Sequence, residues 1–204
     1  MIHTLKSLAF VLSIFCFQSN AIAESNPHQF IDSQSQEMVS IIRNNQALYA
    51  NDPELFKEKI NTIFEPMVDF RRVGASVMGK KYYLAASKSQ RLQFIQSFKA
   101  SLLDTYSSTL AQWGDQKIVT IFPEASELKT IEDVQQNLIT SSNIYPITYK
   151  VRKDKNGNWL IINIIVNGVN LGLTFRNQFQ ALAKEHNENI DEIIKYWTSD
   201  ANLN

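Results

Sequence analysis

Residues 158–166, Asn-Trp-Leu-Ile-Ile-Asn-Ile-Ile-Val, constrain the fold more than any other stretch of the chain. Side chains of a strand alternate between two faces. Strict alternation puts Trp159, Ile161 and Ile165 on one face, and Leu160, Ile162, Ile164 and Val166 on the other. Both faces are then apolar, so each must be covered by helices or by something else.

The neighbouring sequence supplies the partners. Ile147, Tyr149 and Val151 alternate with Thr148, Lys150 and Arg152, the pattern of a half-buried strand, and Asp154-Lys155-Asn156-Gly157 is a turn that closes a hairpin with 158–166. Upstream, 117–122 carries Ile118, Val119, Ile121 and Phe122, and 134–140 is a weaker strand. Helical spacing flanks this region on both sides. Residues 27–49 hold Phe30, Ile31, Met38, Ile41, Ile42 and Leu48. Asp52-Pro53-Glu54 is a helix start, with Asp as cap and Pro in the first position. Pro66 is expected to break that helix, and 67–78 to form another, closed by Gly79.

Ser87-Lys88-Ser89-Gln90 is a capping box. It opens a helix in which Phe94, Phe98, Leu102, Tyr106 and Leu110 recur every four residues, beside Ile95, Leu103 and Trp113. After Gly168 come Leu171, Phe175, Phe179 and Leu182, and Asn189 caps a last helix with Ile190, Ile193, Ile194 and Trp197. Helices, then a mostly antiparallel sheet, then helices is an α+β arrangement.

The N-terminus reads differently. Lys6 precedes an apolar run from Leu8 to Phe17 interrupted only by Ser13, and Ala21-Ile22-Ala23 is an A-x-A cleavage site. This is the pattern of a secretory signal peptide, 1–23, cleaved after Ala23. The run is short of the roughly 20 apolar residues that a membrane-spanning helix needs. Cys16, the only cysteine, leaves with the signal, because Phe15 stands where a lipobox requires a small residue. The expected mature chain, 24–204, then has no disulfide or thiol chemistry and suits an oxidising compartment such as the periplasm.

Twenty Lys and Arg against 20 Asp and Glu give no basic surplus, which argues against a nucleic-acid binder. With 44% apolar and 20% charged residues the chain is not of the disordered class. The sequence contains no G-x-S-x-G, P-loop, H-E-x-x-H or G-x-G-x-x-G. His28 and His186 lie far apart, and neither suggests a base or a metal site; Glu54 with Glu58, and Glu185 with Glu188, read as solvated helix faces beside Lys57 and Lys184. No carboxylate stands inside an apolar run where burial would raise its pKa. Arg71-Arg72, Lys80-Lys81 and the hairpin cluster Lys150, Arg152, Lys153 and Lys155 read as a soluble rim, or as contacts for anionic headgroups or an acidic partner. What remains unexplained is an apolar surplus, which suits either plain core or a lipid cavity.

Residue order adds to this. Phe64-Glu65-Pro66-Met67-Val68-Asp69-Phe70-Arg71-Arg72 leads into Val77-Met78-Gly79, then Ala85-Ala86-Ser87 and Gln90, then Phe94, Phe98, Leu102 and Tyr106. Ile147-Thr148-Tyr149-Lys150-Val151, Asn158-Trp159-Leu160-Ile161, Asn167-Gly168-Val169-Asn170-Leu171 and Phe175-Arg176-Asn177-Gln178-Phe179 follow. This ordered set, over roughly 53–197, resembles the periplasmic phospholipid-binding components of Mla-type ABC lipid transport (MlaC), also called toluene-tolerance auxiliary proteins. The sequence departs from that pattern in having Asn163 for Asp, Asn170 for Ser, Phe175 for Tyr, and Tyr82 or Tyr83 near an expected Trp.

The resemblance implies a curved, NTF2/cystatin-like sheet covered by helices, with a small helical lobe at approximately 50–113. It implies a phospholipid carrier without cofactor, metal or catalytic residue. Its partners would be an outer-membrane lipoprotein complex and an inner-membrane ABC transporter with a substrate-binding ring, and its role the maintenance of outer-membrane lipid asymmetry. The rival readings are an NTF2-like enzyme and a periplasmic chaperone or interaction module. The lipid-binding wall is expected to be Phe70, Val73, Val77, Phe98, Leu102 and Tyr106 from helices, and Val119, Ile121, Leu138, Tyr149, Val151, Ile162 and Ile164 from strands. Which strand face meets the lipid is not decided by the sequence.

Overall fold

A computed structural model describes residues 26–124 and 127–199. The expected signal segment and its cleavage site lie outside them. Four helices come first: α1 Pro27–Asn51, α2 Pro53–Met67, α3 Phe70–Ala85 and α4 Lys88–Ala111. The strands follow as β1 Lys117–Ile121, β2 Ile131–Ile139, β3 Ile144–Lys153, β4 Trp159–Val166 and β5 Val169–Asn170, and the described chain closes with α5 Leu171–Glu185 and α6 Ile190–Lys195. The strands form one curved antiparallel sheet in sequence order, and the fold is α+β.

Local chemistry explains most boundaries. The Asp52 side chain accepts from the Leu55 amide, with Pro53 in the first helical position. Both halves of the Ser87/Gln90 capping box are formed at the start of α4. Pro66 does not end α2 at once. It occupies the last turn, and the chain turns extended only at Val68. Val68 makes a parallel bridge to Ile161, with the Asp69 amide donating to the Ile161 carbonyl at 3.0 Å. Gly79 kinks α3 instead of closing it. Its φ of 71° is left-handed, and helix resumes to Ala85.

Strand β4 departs from strict alternation. Lys150 pairs with Asn163 but Val151 pairs with Ile161, so Ile162 is the extra residue of a β-bulge. The bulge shifts the pleat by one position. Ile164 and Val166 therefore share the face of Trp159 and Ile161, and Leu160 and Ile165 take the other.

Three apolar clusters hold the fold. One joins α3, α4, α5 and α6 around Phe94, Phe98, Phe175, Phe179 and Trp197, with Phe94 edge-on to Phe179 at 5.0 Å and to Trp197 at 5.1 Å. A second lies between α1 and the inner sheet face, around Ile31, Val134, Val151, Trp159 and Ile161. A third, Ile42, Phe56 and Ile60, ties α1 to α2. Val68 packs against both the first and the second, and Met38 and Ile41 against both the second and the third.

Candidate functional site

Between the three clusters lies a cavity of about 370 Å³. That volume falls in the range of small-molecule sites, which are mostly apolar with a few placed polar groups. Helix α1 contributes Ser35, Met38, Val39 and Ile42; α2 contributes Ile60, Phe64 and Met67. Phe70 and Val73 come from α3; Phe98, Leu102, Leu103, Tyr106, Thr109 and Leu110 from α4, with Trp113 just beyond its end. The sheet adds Ile118, Leu138, Ile147, Tyr149, Ile161, Asn163 and Ile164, and Leu171, Gly172 and Phe175 of α5 complete the wall. No charged side chain is part of this wall.

The structure brings together Phe70, Val73, Phe98, Leu102, Tyr106, Leu138, Tyr149 and Ile164 among the residues expected from the sequence. It places five others elsewhere. Val77 is one helical turn beyond Val73, fully buried in the aromatic cluster. Val119 and Ile121 are on the outer face of β1 and 46% and 44% exposed, because the register pairs Ile118, not Val119, with Leu138. Val151 is on the inner face but buried under α1 with Trp159. Ile162 is displaced by the bulge. The contribution of α1 was not read from the sequence, although Met38 and Ile42 show its apolar side.

A polar line runs into the cavity wall from the α1 side. The Thr120 hydroxyl donates to Asp32 Oδ1 at 2.7 Å, and Gln136 Nε2 donates to Thr120 Oγ1 at 2.8 Å. Ser35 Oγ donates to Gln136 Oε1 at 3.1 Å. Burial pushes the pKa of the Tyr149 hydroxyl up to about 12, against a smaller opposing effect of Ser35. Gln136 is fully buried, so these bonds offset the loss of its hydration.

At the opposite strand, Asn163 locks the sheet to α5. Its Oδ1 accepts from the Gly172 amide and its Nδ2 donates to Asn170 Oδ1, each at 3.1 Å. Asn170 in turn caps α5 by accepting from the Leu173 amide. A Cβ on Gly172 would stand 2.5 Å from Asn163 Oδ1, so glycine is what permits this approach. The two departures from the expected Asp and Ser thus meet each other. A carboxylate would need a donor at 170; the amide at 163 supplies the donor itself.

Comparison with known proteins follows this geometry. The sequence pattern of the family described as MlaC protein matches residues 32–199. The chain belongs to the MlaC family. It is 28% identical over 200 residues to the toluene tolerance protein ttg2D of Pseudomonas putida, covering 98% of this chain and 92% of that protein. It is likewise 28% identical over 191 residues to the intermembrane phospholipid transport system binding protein MlaC of Haemophilus influenzae, covering 92% of this chain and 87% of that one. In fold it resembles the phospholipid-binding protein from Ralstonia solanacearum, solved in complex with a phospholipid. The TM-score is 0.76 at 19% identity, over 84% of this chain and 94% of that one. Membership in the MlaC family accounts for the ordered motifs from Phe64 to Phe179.

Proposed function

We propose that this chain is a phospholipid carrier that encloses acyl chain between sheet and helices. The observation that carries this reading is the uncharged cavity between the three cores, in a member of a family whose named relative is a phospholipid transport binding protein.

Magnitudes set the mechanism. Burying one methylene stabilises by ~0.8 kcal/mol, so a sixteen-carbon tail is worth roughly 12 kcal/mol and will not cross water uncovered. The same tail is already buried in a bilayer, so moving it into the cavity gains little net apolar energy. Affinity alone therefore does not set direction. The carrier hands lipid on by docking, and the free energy of transport comes from elsewhere. The partners we propose are an outer-membrane lipoprotein complex and an inner-membrane ABC transporter with a substrate-binding ring, with the protein working in the periplasm after loss of 1–23. The wall offers no carboxylate for the acid–base chemistry of an NTF2-like enzyme, which favours a carrier.

Mass spectrometry of an organic extract from the natively purified protein tests the reading. Stoichiometric phospholipid is expected. Bound peptide, or a folded protein with no lipid that also fails to take lipid from vesicles, would overturn it.

A further inference from the structure

Three segments of the chain, 105–114, 134–149 and 156–175, contain no Asp, Glu, Lys, Arg or His, although 20% of all residues are charged. The fold brings parts of all three to the open end of the cavity. Exposure of the wall residues rises along α4: Phe98 is buried, Leu102 and Tyr106 are half-buried, and Thr109 is exposed. The cavity therefore opens towards the end of α4. That end leads into β1, whose Lys117 pairs with Ile139, which pairs in turn with Ile144. Ile147 pairs with Val166, and the Asn167 amide donates to the Pro146 carbonyl at 2.8 Å. The turns at 140–143 and 167–168 thus stand at the same end, and α5 starts from it.

The rim so formed has two aliphatic tips, Ile144 at 60% and Leu173 at 56% exposure, among small hydroxyl and amide side chains. Charge returns at the β1 corner, where Asp115 and Lys117 are of opposite sign and Arg43 donates to the Gly114 and Gln116 carbonyls. Something must cover this rim whenever cargo passes, because a tail worth roughly 12 kcal/mol does not cross water uncovered. Protein interfaces are anchored by Trp, Tyr and Arg. Within the three segments no Trp or Tyr is exposed. The headgroup zone of a bilayer suits this rim better, since headgroups and water meet the hydroxyls and amides while aliphatic tips reach acyl chain.

We propose that this end of the molecule docks directly on a bilayer without charge attraction, Ile144 and Leu173 entering the layer and the cavity opening onto it. The inference rests on the carrier reading above.

The test uses the natively purified protein and phosphatidylcholine vesicles doped with a fluorescent phosphatidylcholine that is quenched until it leaves the vesicle. Salt screens charge attraction, so the uptake rate should change by less than about twofold from low to high salt. It should change equally little when phosphatidylglycerol replaces part of the phosphatidylcholine. Ile144→Asp combined with Leu173→Asp should slow uptake roughly tenfold, because each carboxylate loses hydration at the surface. Lipid bound at equilibrium should stay at the wild-type level. Leu84→Asp, at the 64% exposed end of α3, should leave the rate unchanged. Contact is read directly with an environment-sensitive dye on Ile144→Cys or Leu84→Cys. Vesicles should shift the dye to the blue at 144 and leave it unmoved at 84. If the double variant does not fold, the dye result decides.

A rate that collapses with salt, a wild-type rate in the folded double variant, or a dye at 144 that vesicles do not move overturns the inference. So does a protein that carries phospholipid as purified yet takes none from vesicles. The rim would then belong to a protein partner, and the carrier reading would stand. A protein with no phospholipid as purified and no uptake refutes the carrier reading itself.

Discussion

The two halves of α4 share one apolar repeat and come to opposite ends. Phe94 and Phe98, in the first half, are fully buried and meet Phe179, Phe175 and Trp197 ring against ring. Leu102, Tyr106 and Leu110, continuing the same four-residue spacing, are only half-buried and border the cavity. What differs is the facing element. The first half runs against α3, α5 and α6. The second half faces α1, α2 and the inner sheet across a gap that no side chain fills. An apolar stripe thus states that a surface is shielded from water, and leaves open whether protein or ligand shields it.

Substitutions in the two halves should separate these roles. The largest effect is expected from Leu102→Asp, which puts a charge into an uncharged wall. Lipid should no longer co-purify, while Val119→Asp on the outer sheet face should retain it; equal lipid in both variants would erase the distinction. Phe94→Ala opens a void inside the aromatic cluster and should lower stability by about 3–5 kcal/mol in denaturant titration, more than Leu102→Ala, which enlarges an existing space. A reversed order would mean that the cavity half carries the stability. Gly172→Ala drives a methyl into Asn163 and should weaken the clamp between sheet and α5 by about 1–2 kcal/mol, seen as a lower midpoint. Ser87→Ala removes the cap of the first half of α4 and should cost about 1 kcal/mol.

A further effect shows only at high pH. The folded state holds the Tyr149 proton up to about 12, whereas the unfolded chain releases it near the ordinary tyrosine value of 10.0. Its stabilising contribution is complete below pH 10 and is lost as pH climbs from there towards 12. Tyr149→Phe should flatten the fall of stability over that window, and an unchanged slope would show the hydroxyl to be less enclosed than its surroundings imply.

Much of this architecture could be read from residue types. The Ser87/Gln90 box, the Asp52-Pro53 start and the 154–157 turn are local signals, and each forms where the sequence places it. The α4 part of the wall was legible for the same reason, since Phe98, Leu102 and Tyr106 announce one side of one helix, whereas the α1 and α2 parts were not. The strand part was legible only at Leu138, Tyr149 and Ile164. A bulge at Ile162 adds no residue type that marks it, and it inverts the parity of Ile164 and Val166. Likewise Ile118 and Val119 are interchangeable in composition, and only their pairing with Leu138 and Asn137 tells inside from outside. Side-chain chemistry specifies which helix face is apolar; strand parity depends on contacts far away in sequence.

The bridge between Val68 and Ile161 bears on how such a chain can change over time. It fastens the helical side of the molecule to the sheet through peptide groups, which every residue except proline can provide in full. The spacing of the two sides is therefore insulated from whichever side chains furnish the interior. Replacements along the wall can retune which cargo is welcome while the frame keeps its gauge.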